Sequence, residues 1–551
     1  MKTLNMLTKS TSNPSKMDYS AIKRLSFIMP VVILLLLASC KKLINVEPQS
    51  NVTVGNYYRN FTEVNAALTG CYNGLQEPLS YEWMLTELRS DNVVQHAPTS
   101  ASSINDDFND LNLYTLSAQN PQIYNYYLSV YKNIRNINYV LRSLGVSYSN
   151  GQLVYGEATA KVTPAQKAQL VGQALFLRSY HYFNLVRLFG GMFVLTEPVI
   201  PSEAKQINRS SQADTYQLIL ADLLGAKSQL TRTAYGSIPA ADLGRATAWA
   251  AEALLAKVYL TLGRKADALP ILNDIITSSG YGLETTYARV FSINNEMNKE
   301  ILFAVRYKSG LVGLGNPMAN SFAPSGSGDA VVPGDGSWYN CPSQSDLVSA
   351  YKTPSASTMI DSRKAINIAS YGSTSTPFYN NKFISAELYK NDAENDFPVL
   401  RYADILLMKA EATGFDGATG SSMAIVNQIR QRAGAGTYST GTFNTGFYLY
   451  PASGTGAITD ASSFQTAMLN ERRLELAFEN QRFFDLVRNG VLVATIKNHY
   501  VLDYALFYTK YKRGTADVLG ANVTEQKALL PIPQREIDVN NEIIIPQNPG
   551  Y

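Results

Sequence analysis

Helical periodicity that recurs in neighbouring pairs constrains this chain's fold more than any other feature. Between Ile123 and Leu144, the residues Tyr127, Tyr131, Ile134, Asn138 and Leu141 fall at three- and four-residue steps and form one stripe. The segment Ala165 to Phe189 carries Ala174, Leu177, Tyr180, Phe183 and Leu188 in the same way, then meets Gly190-Gly191, a stop signal. The theme repeats. Thr215 to Leu230 precedes Arg245 to Leu262, whose closely spaced alanines allow a second helix to approach. Lys265 to Thr277 finds its partner in Tyr402 to Ala412, beyond a long insertion. Ser422 to Ala433 precedes Phe464 to Gly490. These pairs predict a mostly α fold: tetratricopeptide-like hairpins forming a scaffold, with spacing too uneven for a clean repeat. The competing reading is an irregular helical domain.

Segments of another character lie between the hairpins. Val93 to Gln119 is polar and without period. Lys308 to Ser345 is rich in Gly, Pro, Ser and Asn, and Ala433 to Ala461 is similar. Long loops in a compact protein are usually functional or disordered, and the aromatics here argue against plain disorder. Short strands are expected at Ile301 to Tyr307 and near Leu530 to Pro533.

The N-terminus sets the address. Basic Lys16, Lys23 and Arg24 precede an apolar run from Leu25 to Ala38, which ends at Leu37-Ala38-Ser39-Cys40. Charged start, short greasy middle and small-residue exit are the layout of a secretory signal. A cysteine at the exit resembles a bacterial lipobox, so residues 1–39 are expected as signal peptide, Cys40 as the lipidated residue and 40–55 as a tether. The run is short of the about 20 apolar residues a spanning helix needs, and Pro30 interrupts it. An uncleaved anchor is the competing reading. Met17 would give a signal of ordinary length, which leaves the start codon open. A multiply acylated cysteine holds firmly to a membrane, whereas one chain holds only marginally.

Beyond the signal, more than 500 residues with 46% hydrophobic content suffice for a large core. Net charge is +3 with no long basic run, which gives no support for nucleic acid as a partner. Charged residues are only 17% while tyrosines number 35, a composition that suits an extracellular binding protein. Besides Cys40 there are only Cys71 and Cys341. An oxidising compartment allows them to pair, but two buried free thiols are the favoured reading.

A set of motifs then appears in order. Cys40-Lys-Lys-Leu-Ile-Asn-Val-Glu-Pro-Gln-Ser50 is followed by Ala66-Ala-Leu-Thr-Gly-Cys-Tyr-Asn-Gly-Leu75 and Glu87-Leu-Arg-Ser-Asp91-Asn92. Next come Ala174-Leu-Phe-Leu-Arg178-Ser-Tyr180-His-Tyr182-Phe-Asn-Leu-Val-Arg187-Leu-Phe-Gly-Gly191 and Val399-Leu-Arg401-Tyr-Ala-Asp404-Ile-Leu-Leu-Met-Lys-Ala-Glu411-Ala. Val426-Asn-Gln-Ile-Arg430-Gln-Arg432, Glu471-Arg-Arg-Leu-Glu475-Leu-Ala-Phe-Glu479-Asn-Gln-Arg482-Phe-Phe-Asp485 and Leu530-Pro-Ile-Pro533 complete the series. Together, behind a lipobox, they resemble the SusD/RagB family of outer-membrane nutrient-binding lipoproteins of Bacteroidota, over nearly the whole mature chain. One departure is Tyr127, where the family often has Trp.

The resemblance implies a single body over 56–551, with an N-terminal part at 56–284 and a C-terminal part at 285–551. It implies a surface-exposed, lipid-anchored protein of the outer membrane that binds a nutrient, with oligosaccharide favoured. It also implies a SusC-like TonB-dependent barrel that receives the ligand. A peptide-binding RagB-like lid and a surface glycan hydrolase are the alternatives.

No enzyme signature emerges. The three histidines, His96, His181 and His499, are scattered, and there is no metal-ligand pair, nucleophile elbow or phosphate loop. No cofactor is expected, and a structural calcium is left open without a motif for it. Glu87 and Asp91, four apart, are candidates for one helical face and so for glycoside hydrolysis or cation binding. Helix ending and local hydrogen bonding are the preferred roles. Glu471, Glu475 and Glu479 would repel along an isolated helix. They are therefore expected to pair with Arg401, Arg430 and Arg432 in a structural network.

A sugar ring has an apolar face that stacks on aromatics and a hydroxyl rim that wants amides and charges. Trp249 sits among apolar helical neighbours and is expected in the core, and Trp83 is ambiguous. The resemblance places ligand-contacting aromatics in the Gly-rich insertion and in the loop after Asp91. The expected ligand site is therefore Trp338 and Tyr339 with Asn92, Tyr114 and His96. The competing role for Trp338 is to pin its own loop.

Overall fold

The computed structural model describes residues 57–95, 106–337, 341–351, 361–372, 378–434, 449–506, 514–540 and 542–551. The signal run, Cys40, His96, Trp338 and Tyr339 lie outside the described residues. Tyr58 to Tyr551 form one compact unit.

The scaffold and its charged centre are built from α1 (Phe61–Asn73), α2 (Gln76–Thr86), α3 (Pro121–Ser143), α4 (Pro164–Phe189), α5 (Gln212–Gln229), α6 (Ala248–Thr261), α7 (Lys265–Ser278), α8 (Tyr402–Thr413), α9 (Ser421–Arg432), α10 (Ala461–Glu475), α11 (Arg482–Arg488) and α12 (Leu492–Asp503). Their starts are chemically marked. Thr163 caps α4 through the Gln166 N–H with Pro164 in the first turn, and Ser211 caps α5 through the Asp214 N–H. Gly190 ends α4 at φ 78°, a conformation open to glycine at no steric cost.

α4 packs on α3 and α5, and α6 on α5 and α7; α7 then packs on α8 across the insertion, and α8 on α9. α6 is buried on nearly every side: Ala248, Ala250, Ala251, Ala253 and Ala256 are buried along with Leu254, Leu255 and Val258, and its Glu252 and Lys257 pair with charges from neighbouring elements. A helix so buried lies between others, and the small alanine side chains let its neighbours approach. The hairpins expected from periodicity are thus present.

Two expectations need correction. Phe464 to Gly490 is not one helix: α10 ends at Glu475, and the chain reverses before α11 begins at Arg482. Phe478 and Asn480 take φ of 65° and 59° at the break. Leu530 to Pro533 joins no ladder; it runs extended, and Leu530 N donates to the Leu188 carbonyl at 2.7 Å. Within Val93 to Gln119 a helix forms at Asp106–Asn112, with Phe108 and Leu111 buried.

Strands are short and paired two by two: β1 (Val93–Val94), β2 (Val146–Ser149), β3 (Gln152–Tyr155), β4 (Ile301–Val305), β5 (Cys341–Pro342), β6 (Ile368–Ser370), β7 (Phe378–Asn380) and β8 (Phe397–Arg401). All four pairs are antiparallel: β1 with β5, β2 with β3, β4 with β8 and β6 with β7. β4 is fully buried, and its pairing with β8 ties the insertion back to the scaffold at both ends.

Among the described residues no helix is long and apolar enough to cross a membrane. Cys71 and Cys341 are buried and not joined in a disulfide, and burial pushes the Cys71 thiol up to about 12.

Candidate ligand-binding site

The two segments expected to meet at a ligand do converge. β1 and β5 pair with Val93 opposite Pro342 and Val94 opposite Cys341. The stretch after Asp91 and the end of the Gly-rich insertion, some 250 positions apart, therefore run side by side. Ser343 N extends the pairing by donating to the Asn92 carbonyl at 2.9 Å.

A charged platform fixes this pair from beneath. Asp91 accepts two bonds from Arg482 at 2.7 and 2.8 Å, a bidentate fork. Arg473 donates to Asn92 Oδ1 at 3.0 Å, to Asp346 at 2.6 Å and to the Asp91 carbonyl. Asp503 of α12 accepts from Ser343 Oγ and, at 2.9 Å, from Ser345 N. Burial raises the Asp91 carboxyl, but Arg473 and Arg482 more than reverse that and hold it below the usual carboxylate range. Each loop is thus tied to α10, α11 or α12 through an ion that cannot easily let go.

The insertion is organised as well. Trp83 of α2 meets Phe322 edge-on, with ring centroids 5.1 Å apart. Phe322 ends a short helix, Met318–Phe322, whose Asn320 donates to the carbonyls of Pro333 and Asp335 at 2.8 and 2.9 Å. The Asn320 carbonyl receives Ser337 N at 2.8 Å. Asp335, at φ 71°, accepts from the N–H groups of Gly326, Gly328 and Gly336. The residues flanking Trp338 to Asn340 on both sides are therefore held.

Two of the expected ligand contacts are corrected by this geometry. Asn92 is 0% exposed, and its amide is engaged by Arg473 and by Glu87, at 3.0 Å each. Tyr114 is also 0% exposed and donates its hydroxyl to the Arg89 carbonyl. Both side chains anchor the loops and offer no atom to a ligand. Trp249 is core, donating Nε1 to the Thr233 carbonyl at 2.9 Å under the Arg232 guanidinium. Trp83 is buried, which resolves its ambiguity towards scaffold. Tyr127 packs against Tyr131 and Phe189.

Glu87 and Asp91 do not share a helical face. α2 stops at Thr86, Glu87 to Arg89 form a 3-10 turn, and Asp91 lies beyond it. Glu87 accepts from Asn480 N at 2.9 Å and Asn92 Nδ2 at 3.0 Å, while burial pushes its carboxyl up to about 7. His181 is packed against Asn133 Nδ2 at 2.8 Å, and burial lowers its pKa to about 3. Among the described residues no group of His, Cys, Asp or Glu is arranged to hold a metal ion.

The three glutamates of α10 and the following turn meet arginines from other elements. Arg401 reaches Glu475 at 2.6 Å, Glu479 at 2.7 Å and Glu300 at 3.0 Å. Arg430 reaches Glu471 at 3.3 Å, and Arg432 pairs with Glu475 and, at 2.8 Å, with Glu300. Sequence reasoning missed Arg363, which lies 2.6 Å from Glu471, and Lys382, which lies on Glu479. Arg473 and Arg482 stood in a recognised motif, but their reach to Asp91 and Asn92 was not foreseen. Asp503 and Asp335 were missed, and of these two Asp335 carried a signal, its placement between Gly334 and Gly336 in a loop.

The described residues thus form a helical scaffold of uneven hairpins, with two remote loops clamped side by side on a charged platform. The model described as "SusD family" matches residues 350–551, and the model described as "Starch-binding associating with outer membrane" matches residues 44–260. SusD-like protein P25 of Formosa agariphila is 24% identical, over 91% of this chain and 94% of its own length. A laminarin binding SusD-like protein superposes with a TM-score of 0.67 at 24% identity, covering 90% of this chain and 100% of that one. Surface glycan-binding protein A of Bacteroides thetaiotaomicron, in complex with laminarihexaose, gives a TM-score of 0.66 at 18% identity, covering 88% and 99%. The chain belongs to the SusD/RagB family.

Proposed function

We propose that this protein is a non-enzymatic, lipid-anchored binder of oligosaccharides at the outer-membrane surface that passes its ligand to a SusC-like TonB-dependent barrel. The observation that carries the reading is the β1–β5 pairing, which sets the segment ending at Gln95 beside the segment resuming at Cys341. Trp338, Tyr339 and His96 immediately adjoin those segments, and we assign ligand contact to them. The assignment is supported by the organised surroundings: the described residues on either side are held by Asn320, Asp335 and Asp503. Family membership and the glycans named for two structural neighbours, laminarin and laminarihexaose, favour a glycan over a peptide. The platform's ions are engaged in holding loops, which favours binding over hydrolysis. In this reading Cys40 carries lipid, and the stretch from Lys41 to Ser50 gives the body room to move over the barrel.

The test is a glycan and peptide binding screen, repeated with Trp338→Ala. One aromatic stack contributes about 1 kcal/mol or more, so the variant should lose roughly fivefold or more in affinity with an unchanged melting temperature. Unaltered affinity would remove Trp338 from the site. New reducing ends on incubation with the bound glycan would replace the binding role by hydrolysis.

A further inference from the structure

A cavity of about 400 Å³ opens in the helical scaffold, lined from α4, α5, α6, α8, α10 and α11. Tyr216, Leu260, Met408 and Phe484 give it apolar walls. Four cations face it: Arg187, Lys257, Arg472 and Arg488.

Three of the four have carboxylates. Arg472 spans Asp404 at 2.9 Å and Asp485 at 2.8 Å. Lys257 lies 2.7 Å from Asp404, and Arg488 lies 2.8 Å from Asp485 and also pairs with Glu411. Three carboxylates thus serve three cations, and Arg187 is the fourth. Its Nε donates to the Phe183 carbonyl at 3.2 Å and its Nη2 to the Asn184 side chain, both neutral acceptors. The rings of Phe183 and Phe484 sandwich the guanidinium, with centroids 3.9 and 3.6 Å from its central carbon. Among the described residues Nη1 takes no protein acceptor. Glu82, a carboxyl in the same neighbourhood, is pushed up to about 7 by burial, so it supplies only part of a charge at neutral pH. Burial also lowers the pKa of Arg488 to about 10, with the Arg187 charge adding to that effect.

We propose that this cavity binds a small oxyanion-bearing molecule of about monosaccharide size, received on the unused edge of the Arg187 guanidinium. An arginine fork matches an oxyanion in plane and offers paired donors. The aromatic sandwich fixes the fork's plane in advance, which lowers the entropy lost on binding. The apolar walls suit the body of an organic ligand, and the volume falls within the usual range for small-molecule sites. The occupant brings Arg187 a negative charge where Glu82 supplies only part of one.

The experiment uses the full chain in detergent, titrated with D-glucuronate, sodium sulfate and D-glucose at ionic strength matched with sodium chloride. At least one of the two oxyanions should bind saturably and raise the melting temperature by roughly 2–3 °C at a hundredfold excess over Kd. Glucose should do neither. Binding of glucuronate alone assigns an organic carboxylate, and binding of sulfate alone assigns an inorganic oxyanion. Arg187→Gln and Ala213→Trp should each abolish the response. Ala213 is exposed and lines the cavity, so the indole fills the space without removing a charge and decides the matter if Arg187→Gln does not fold. No saturable response to either oxyanion overturns the proposal, as does a response that Ala213→Trp leaves unchanged.

Discussion

Glu475 shows what a single residue carries in this scaffold. Burial alone would raise its carboxyl, yet Arg432, Arg401 and Arg363 hold it down to about 2. Removing one member of a buried, multiply bonded ion group leaves the others desolvated and uncompensated, at a cost of about 3–5 kcal/mol. Glu475→Gln should lower stability by about that amount in urea denaturation. Arg401→Met should cost a similar amount, because three carboxylates depend on Arg401 at 2.6 to 3.0 Å. Arg430 meets Glu471 at 3.3 Å, a looser pair in which Arg363 already serves Glu471 at 2.6 Å. Arg430→Gln should therefore cost less than Arg401→Met, and a larger loss would reverse the ranking. The glutamates' four-residue step made the need for arginines legible, since like charges at that step must be neutralised from outside. Arg363 and Lys382 were not legible. They sit in segments without period, and only tertiary folding brings them to the helix.

At the scale of elements, helix starts and stops were readable because their chemistry is local. Thr163 with Pro164, Ser211, and Gly190 each satisfy or end backbone bonds within a few residues. The break after Glu475 was invisible for the converse reason. Apolar residues continue through Leu474, Leu476, Ala477, Phe478 and Phe483, and no glycine or proline marks the reversal. The turn is instead forced by long-range bonds: Asn480 N donates to Glu87 at 2.9 Å, and Lys382 Nζ donates to the Ala477 carbonyl at 2.8 Å. Asn480 adopts a left-handed backbone that asparagine tolerates and a β-branched residue does not. Asn480→Val should cost about 1–3 kcal/mol more than Asn480→Gly, both variants losing the same side-chain amide. Equal urea midpoints for the two would show that the conformation carries no strain. The ligand loops divide in the same way. Their existence was legible from composition, but the inward turn of Asn92 and Tyr114 was not, because polarity alone does not say whether an amide faces water or a buried arginine.

At the scale of the whole molecule, two sets of buried carboxylates have opposite pH behaviour. Glu82, Glu87 and Asp396 are raised to about 7, in each case first by burial. Their folded values exceed the ordinary carboxylate values of about 4, so their stabilising contribution is complete below pH 4 and is lost as pH climbs to about 7. Glu475, Asp404 and Asp91 behave inversely. Burial raises each of them, but arginine or lysine partners hold them well below the usual range. Their contribution is complete above the ordinary value and is lost as pH falls from there through the folded values below it. The two slopes oppose each other and cross near the ordinary carboxylate value, about pH 4. Stability should therefore peak near about pH 4, decline towards pH 7, level off just above it, and fall steeply on the acid side. Melting temperature measured from pH 3 to pH 8 reads this curve directly. Glu82→Gln, which keeps an acceptor for Asn184 Nδ2 at 3.1 Å, should flatten the decline between pH 5 and 7 and leave the acid limb unchanged. A wild-type curve that is level from pH 5 to pH 8 would mean that these carboxyls are solvated in solution. The scaffold around Arg187 would then be wetter than its packing implies, because Glu82 lies beside that guanidinium.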